Sequence, residues 1–595
     1  MSICIVLLAA VFNLIPRPVS VEVRPGSCVT DAARIIERKA DRQLSKAVAG
    51  LPDFVREEAY SLEIRPRRIV VRSFTPTGAL RARQTICQLK AMGDTAVCCR
   101  ITDYPRFRHR GLMIDESRSF KGKEFLLKQL DLMALLKLNV LHLHLTDAAG
   151  WRIRIDAYPE LTDKAAWRIG KSYFDWEKRG YPFAGEDVPD AYGGWYSKDD
   201  IRQIVAYAAE RGINVIPEIE MPGHSMEVNR TYPGMACETA DGKPLPFSWD
   251  LCPGREETFR FLETVLDEVM DLFPSEYIHI GGDEAVMKDW GRCVHCAARM
   301  QAEGMKDVHE LQGYLIRRID SFVRSRGRKI IGWDEILETG IPAEAAVQSW
   351  RGVDGGRKAA SAGHDVVMSP TTHCYFDYYQ DLIRKEPPAC GPLLSLRHCY
   401  SFEPLDGIPE DQQAHILGLQ GNLWCEYIPE PLHAEYMLYP RALAIAETGW
   451  TPSGRKDYAD FRLRAENFCK LLDAFGYNHF NLDTESPRAR TVAFESSTRG
   501  FNYVVQEGGP VLSYNFDTGV RIIVDGEFVF KDMNSNGSVD PFEDWRLPAK
   551  ERAADLYSRD PSDIRGVDYD PSLAPSQLEG MFSSWTVDNP FNFSL

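Results

Sequence analysis

A chain of 595 residues has room for three or four domains of about 150 residues each, or for one large barrel with appendages. Its 86 Asp and Glu outweigh 70 Lys and Arg, and the formal charge of −16 argues against nucleic acid as a partner, because phosphate binding needs a basic face. Hydrophobic residues make up 44% and charged residues 26%, as in a soluble globular protein, and no apolar run reaches the roughly 18 residues that a membrane span needs.

The beginning, Met1-Ser-Ile-Cys-Ile-Val-Leu-Leu-Ala-Ala10, reads as the apolar core of an export signal over residues 1–13, without the usual basic segment before it. Export to the periplasm, cell surface or medium is the expectation. Residues 14–104 read as a small α+β domain. Tyr60–Ile64 and Arg68–Arg72 pattern as an antiparallel pair, Pro76–Ala79 as a turn, and Ala79–Met92 as a helix.

From 105 to about 480, strands alternate with amphipathic helices. The strands are expected at Gly111–Asp115, Val140–Thr146, Asn214–Ile219, Tyr277–Ile280, Lys329–Gly332, Ala346–Trp350, Val366–Ser369 and Ile416–Leu419. Helical spacing runs through Glu124–Leu138, Ile201–Arg211, Thr258–Leu272 and Leu311–Arg326. Eight strands with helical crossovers predict a (β/α)8 TIM barrel.

The strand ends carry the chemistry. In order they are Asp115-Glu116, Asp147, Glu218 to Glu220 with His224, Asp283-Glu284, Trp333-Asp-Glu335, Trp350, Tyr375 with Asp377, and Trp424 with Glu426. Active sites of such barrels are built at the carboxyl ends of the strands. Acids that accept hydroxyl hydrogen bonds, beside indole faces that cover C–H surfaces, suit a neutral polyhydroxylated ligand.

Within this rim, Tyr277-Ile-His-Ile-Gly-Gly-Asp-Glu284 places two adjacent carboxylates on a glycine turn. Their repulsion calls for a shifted pKa or a cationic partner, a way to prepare a proton donor. Asp283 as a helix cap beside a solvated Glu284 is the other reading of that segment. His142-Leu-His144 puts two histidines on one strand face, as a metal pair or as packed barrel lining. The later strand ends lack the histidines or lysine a metal would add. Cys293-Val-His-Cys296 has the spacing of half a zinc site, but no second close pair follows it, and a metal is not expected there.

Six motifs in order resemble family 20 glycoside hydrolases, the β-N-acetylhexosaminidases. They are Phe107-Arg-His-Arg-Gly111, His142-Leu-His-Leu-Thr-Asp147 with Gly150-Trp-Arg152, Met221-Pro-Gly-His224, His279-Ile-Gly-Gly-Asp-Glu284, Trp333-Asp-Glu335 and Asn422-Leu-Trp-Cys-Glu426. The likeness covers about residues 14–475. It implies retaining, exo-acting hydrolysis of terminal β-linked GlcNAc or GalNAc in which the substrate's acetamido oxygen is the nucleophile, an exception to the two-carboxylate scheme. Strand neighbours point to opposite faces, so Asp283 and Glu284 are poorly placed to flank one bond as acid and nucleophile. The resemblance makes Glu284 the acid and base, Asp283 the partner of the acetamido N–H, and Tyr375 the donor to the acetamido oxygen. It gives Arg110, Glu426 and Asp377 to the outer hydroxyls, and Trp333, Trp350 and Trp424 to the pocket wall. Asp147 and His224 resemble the pair that tunes Glu284. Ala148 stands where many relatives carry a second acid. No cofactor is implied for catalysis, and the expected partner is a glycan ending in N-acetylhexosamine. A relative acting on larger or sulfated substrates, or a carbohydrate-binding barrel without activity, are the alternatives.

Residues 481–595 read as a tail in which helical periodicity fades, with Gly566–Leu595 loosely structured. Asp532-Met-Asn-Ser-Asn-Gly-Ser-Val-Asp-Pro-Phe-Glu543 fits a twelve-residue calcium loop with ligands at Asp532, Asn534, Asn536, Asp540 and Glu543. An unliganded Asn/Gly turn is the other reading. Phe530 to Leu556 also resembles the beginning of family 3 glycoside hydrolases, over some thirty residues and without a catalytic part.

Overall fold

The computed structural model describes residues 13–565 other than 246–247, 499–500, 507 and 516–517, together with Ser576. The export segment read at residues 1–13 lies outside them except for Asn13, and so does the chain end from Gly566 except for Ser576. No helix among the described residues is long and apolar enough to cross a membrane. The chain divides into two compact units, one of residues 1–377 with 402–479, the other of 378–401 with 480–595.

The first unit opens on a five-stranded sheet, in spatial order Ser20–Val29, Thr95–Asp103, Tyr60–Arg65, Arg68–Ser73 and Arg34–Lys39. Tyr60–Arg65 and Arg68–Ser73 pair antiparallel, as the alternation predicts. The helix starts earlier than its apolar pattern, at Pro76–Ala91, because the Thr75 side chain caps the Gly78 N–H and proline suits the first turn. The two strands before Tyr60 carry many exposed residues, which is why their sequence shows no buried period.

Eight parallel strands then close a barrel. They are His109–Asp115, Val140–His144, Asn214–Glu218, Tyr277–His279, Lys329–Trp333, Ala346–Ser349, Val366–Met368 and Ile416–Leu423. All eight expected strands are present, and their bounds differ by a few residues at most. The crossover helix Glu256–Leu272 buries Phe259, Leu262, Val265, Leu266 and Val269 along one stripe. Each such side chain contributes about 1.5–3 kcal/mol, so the stripe outweighs the propensity of any single residue. The barrel's amino end is locked to the small domain by Arg110, whose guanidinium donates to Glu58 at 2.6 and 3.0 Å and to the Phe107 and Lys137 carbonyls. Trp450 joins the core of that sheet domain and also stacks under Arg110.

The described residues of the second unit are folded, where the sequence shows only that helical periodicity fades. Leu393–Leu394, Val492–Thr498, Phe501–Gln506 and Leu512–Tyr514 form one antiparallel sheet, and Arg521–Asp525 pairs with Phe528–Asp532. Its core includes Val504, Val529, Phe542 and Leu556, the last on the helix Ala549–Tyr557. This unit takes in residues from 480 onward and also residues 378–401, between the seventh and eighth barrel strands, which the sequence reading assigns to the barrel. A short strand carried that far from its partners leaves no local signal.

Candidate active site

The fourth barrel strand ends at His279, and the chain turns on Gly281 and Gly282, with φ of +64° and +95°. A Cβ on Gly281 would lie 1.8 Å from Glu220 Oε2, and one on Gly282 2.5 Å from Ile336 Cγ2. Glycine is thus required twice, by backbone conformation and by space. Two non-glycine residues at the rim share the left-handed region, Glu284 at φ +46° and His224 at +52°. Such conformations cost of order 1–3 kcal/mol and persist where the surroundings impose them.

Those two residues meet. His224 Nε2 lies 3.4 Å from Glu284 Oε2 and 3.7 Å from Asp283 Oδ2, while its Nδ1 lies 3.2 Å from Asp147 Oδ2. Burial disfavours a charged Asp147, but the Arg118 guanidinium, 2.7 Å away, and His224 overcome it and hold this carboxyl well below the usual range. Burial likewise opposes a charged His224, and Asp147 and Glu284 overcome that, holding the imidazolium well above its ordinary pKa. His224, 3.4 Å away, in turn lowers Glu284, whose side chain is 59% exposed. Asp283 behaves oppositely. It is buried, one of its oxygens has no hydrogen-bond partner, and burial raises its pKa to about 6. Asp283 and Glu284 sit past the strand end on the turn, so strand alternation does not separate them and both face one imidazole nitrogen.

Beside the carboxylates stands an aromatic wall. Trp350 and Tyr375 stack with centroids 6.2 Å apart, Tyr375 and Trp424 lie 6.4 Å apart, and Trp424 and Trp333 5.7 Å apart. Trp333 is closed off beneath, its indole N–H donating to Glu218 Oε1 at 2.8 Å, and Trp350 donates to Glu335 Oε2 at 2.8 Å. Burial, then the charge of Asp283, raises Glu335 to about 8. Asp377 is buried with Oδ1 unpartnered, and burial and Glu426 push it well above the usual carboxylate range. Arg118 reaches Glu426 at 3.8 Å and lies 4.7 Å over the Trp424 ring.

The catalytic-domain profile of glycosyl hydrolase family 20 matches residues 107–453. The chain belongs to that family. It is 40% identical to a β-hexosaminidase of Porphyromonas gingivalis over 442 residues, 71% of this chain, and spans about half (55%) of that relative's length. With a β-hexosaminidase of Vibrio furnissii it shares 34% identity over 74% of this chain and 77% of the relative. Among solved structures, a family 20 exo-β-N-acetylglucosaminidase from Vibrio harveyi, in complex with N-acetylglucosamine, superposes with a TM-score of 0.68 at 30% identity, covering 79% of each chain.

For this family 20 site, the structure brings together Asp147, His224, Asp283, Glu284, Trp333, Trp350, Tyr375, Asp377, Trp424 and Glu426 as expected. Arg110 is the exception. It is the second residue of the first strand, fully buried at the amino end of the barrel and spent on Glu58. The arginine beside Glu426 is Arg118, which the sequence reading missed. The direction rule could have found it, since Arg118 follows the strand's carboxyl end at Asp115 and Arg110 precedes its core. Asp115 fixes it there, accepting from Arg118 N at 2.9 Å and from Cys425 N at 3.0 Å, which ties the first strand end to the eighth. The paired histidines are barrel lining. His142, His144 and His279 lie 3.0, 2.6 and 2.8 Å from the Glu218 carboxylate, brought together by the register that sets His144 and His279 either side of it.

In the second unit, the Asp532–Glu543 loop closes on itself. Asp532 accepts from Asn536 N and Gly537 N, Glu543 from Met533, Asn534 and Asp540 N, and Asp540 from the amides of Asn534 and Asn536 and from Arg559. Burial raises Glu543 to about 7.

Proposed function

We propose that this chain is an exo-acting, retaining β-N-acetylhexosaminidase that releases terminal β-linked GlcNAc or GalNAc from glycans by substrate-assisted catalysis. The observation that carries it is Asp283, a buried carboxyl with a vacant acceptor beside the exposed Glu284. A buried carboxylate with a free acceptor suits an acetamido N–H and the positive charge that develops on it, which leaves the nucleophile to the substrate. In this reading Glu284 protonates the leaving oxygen while the acetamido oxygen attacks the anomeric carbon. Asp283 steadies the developing positive charge, Tyr375 donates to the acetamido oxygen, and ionised Glu284 then takes a proton from the attacking water. His224 and Asp147 set the charge of Glu284, the three tryptophans wall the ring and acetamido group, and Arg118, Glu426 and Asp377 hold the outer hydroxyls. The names of the relatives support the substrate class.

The test is hydrolysis of an aryl β-GlcNAc, with and without a thiazoline inhibitor, beside the aryl β-glucoside that lacks the acetamido group. Turnover blocked by the thiazoline and orders of magnitude slower on the glucoside is expected. Comparable rates on both substrates would overturn the reading. Export belongs to the same proposal, on the strength of the apolar run Ile3–Ala10; recovery of the activity only from the cytoplasmic fraction of the native cell would overturn it. Calcium in the second unit is proposed from the loop's ligand pattern, with oxygen-bearing side chains at Asp532, Asn534, Asn536, Asp540 and Glu543. Calcium should raise the melting temperature of the chain and leave that of Glu543→Gln unchanged.

A further inference from the structure

Four cysteines far apart in sequence converge behind the active-site loops. Cys237, Cys252, Cys293 and Cys296 are all buried, and their sulfurs all lie within 4.8 Å of one another. Three separations are 3.5, 3.7 and 3.9 Å. A disulfide needs about 2.05 Å, so these are not bonded pairs. A zinc ion with Zn–S distances of about 2.3 Å has tetrahedral edges of about 3.8 Å, which the observed spacings bracket. Cysteine also serves as a small apolar filler, but filler has no reason to bring four thiols within 4.8 Å of one another.

The backbone around them is built to match. Cys293 is the residue just before the helix Val294–Glu303, whose N-terminus favours thiolates. The Cys252-Pro-Gly254 turn presses on the Cys293–Cys296 loop so closely that a Cβ on Gly254 would meet Cys296 N at 2.2 Å. We propose that these four thiolates hold one structural zinc ion, which staples the loop that follows His224 to the loop that follows Glu284. The spacing of Cys293 and Cys296 is thus half a site after all. Its other half comes from two single cysteines upstream, brought in by the fold and not by a second close pair.

The staple reaches the catalytic groups by short steps. Asp250, two residues before Cys252, accepts from Val286 N at 3.2 Å and Met287 N at 2.6 Å, just past Glu284. Trp290 Nε1 donates to Leu251 O at 3.0 Å, and Leu251 N donates to Pro222 O at 2.8 Å, beside the His224 turn. The four cysteines are therefore positioning residues for His224 and Glu284, and a part of the inference that rests on the proposed function. The metal itself does not depend on that reading.

Metal analysis of the chain purified without chelators separates the two. About one zinc per chain is expected, released in step with four thiols by a mercurial, with thermal stability falling on release. Zinc well below one per chain with no uptake on refolding with zinc, iron in its place, or Cys237, Cys252, Cys293 and Cys296 found in disulfides would each overturn the proposal. Cys293→Ser/Cys296→Ser should lose the metal. If that variant does not fold, the mercurial release from the unmodified chain decides. Complete zinc release should lower kcat more than tenfold, and partial release in proportion to the zinc lost, with KM nearly unchanged; full activity in zinc-free folded protein would remove the positioning role.

Discussion

His224 bridges two acids of opposite standing, with Asp147 Oδ2 3.2 Å from its Nδ1 and Glu284 Oε2 3.4 Å from its Nε2. Asp147 is buried and locked as a carboxylate, so the imidazole stays charged and lowers the pKa of Glu284 beside it. A general acid must be protonated before it acts, so kcat/KM should fall as pH rises through the free-site pKa of Glu284. In His224→Gln that lowering is gone, and the alkaline limb of the profile should move to higher pH. A limb that stays in place or moves down would show that His224 does not set the acid.

Two arginines eight residues apart should fail differently. Arg118→Lys keeps the charge but not the fork that faces Asp147 and Glu426, and should raise KM for the aryl glycoside at least tenfold with a smaller loss of stability. Arg110→Ala leaves the buried Glu58 to Arg81 alone and takes a donor from the Phe107 and Lys137 carbonyls, and a weakened buried network of this kind should cost up to about 3–5 kcal/mol. Chemical denaturation should show that loss, and the folded fraction should keep a near-normal KM.

For Asp283→Asn, a shape-preserving change in a buried position, kcat should fall by roughly 10²–10³, the range for removing one group that stabilises developing charge. Steady-state kinetics with a poor and a good leaving group should show the loss in both.

Gly281→Ala forces a side chain into a positive φ and onto Glu220 Oε2. The conformation alone costs about 1 kcal/mol or more, and the carboxylate must also move. Thermal melting should show a clear drop, and turnover should fall further than stability because Asp283 and Glu284 ride on this turn.

His144 gives a pH signature of the barrel itself. Burial opposes its charge, but Glu218 and Asp147 outweigh this and raise its pKa from 6.5 to about 10. A raised folded pKa means that this stabilisation is fully present below about pH 6.5 and is lost as pH rises towards 10. The stability gap between the native chain and His144→Gln should therefore be widest near pH 6 and shrink by pH 10, as urea unfolding at both pH values would record.

Much of this protein is legible in the sequence because the signals are local. Strand and helix periods place all eight barrel strands, and the rule that sites gather at carboxyl strand ends selects Asp283, Glu284, Trp350 and Trp424 before any coordinates. The same rule, applied to direction along the first strand, would have chosen Arg118 over Arg110. What only the tertiary structure decided depends on groups distant in sequence. The turn at Gly281 and Gly282 carries Asp283 and Glu284 off the strand, where alternation no longer applies, and onto one histidine. Residues 378–401 leave the barrel to join a sheet whose other strands lie a hundred residues on. Four thiols spread over sixty residues gather within 4.8 Å of one another. A sequence shows which side chains share a face of one element; which elements share a point in space is set by closure of the barrel and the packing of its loops.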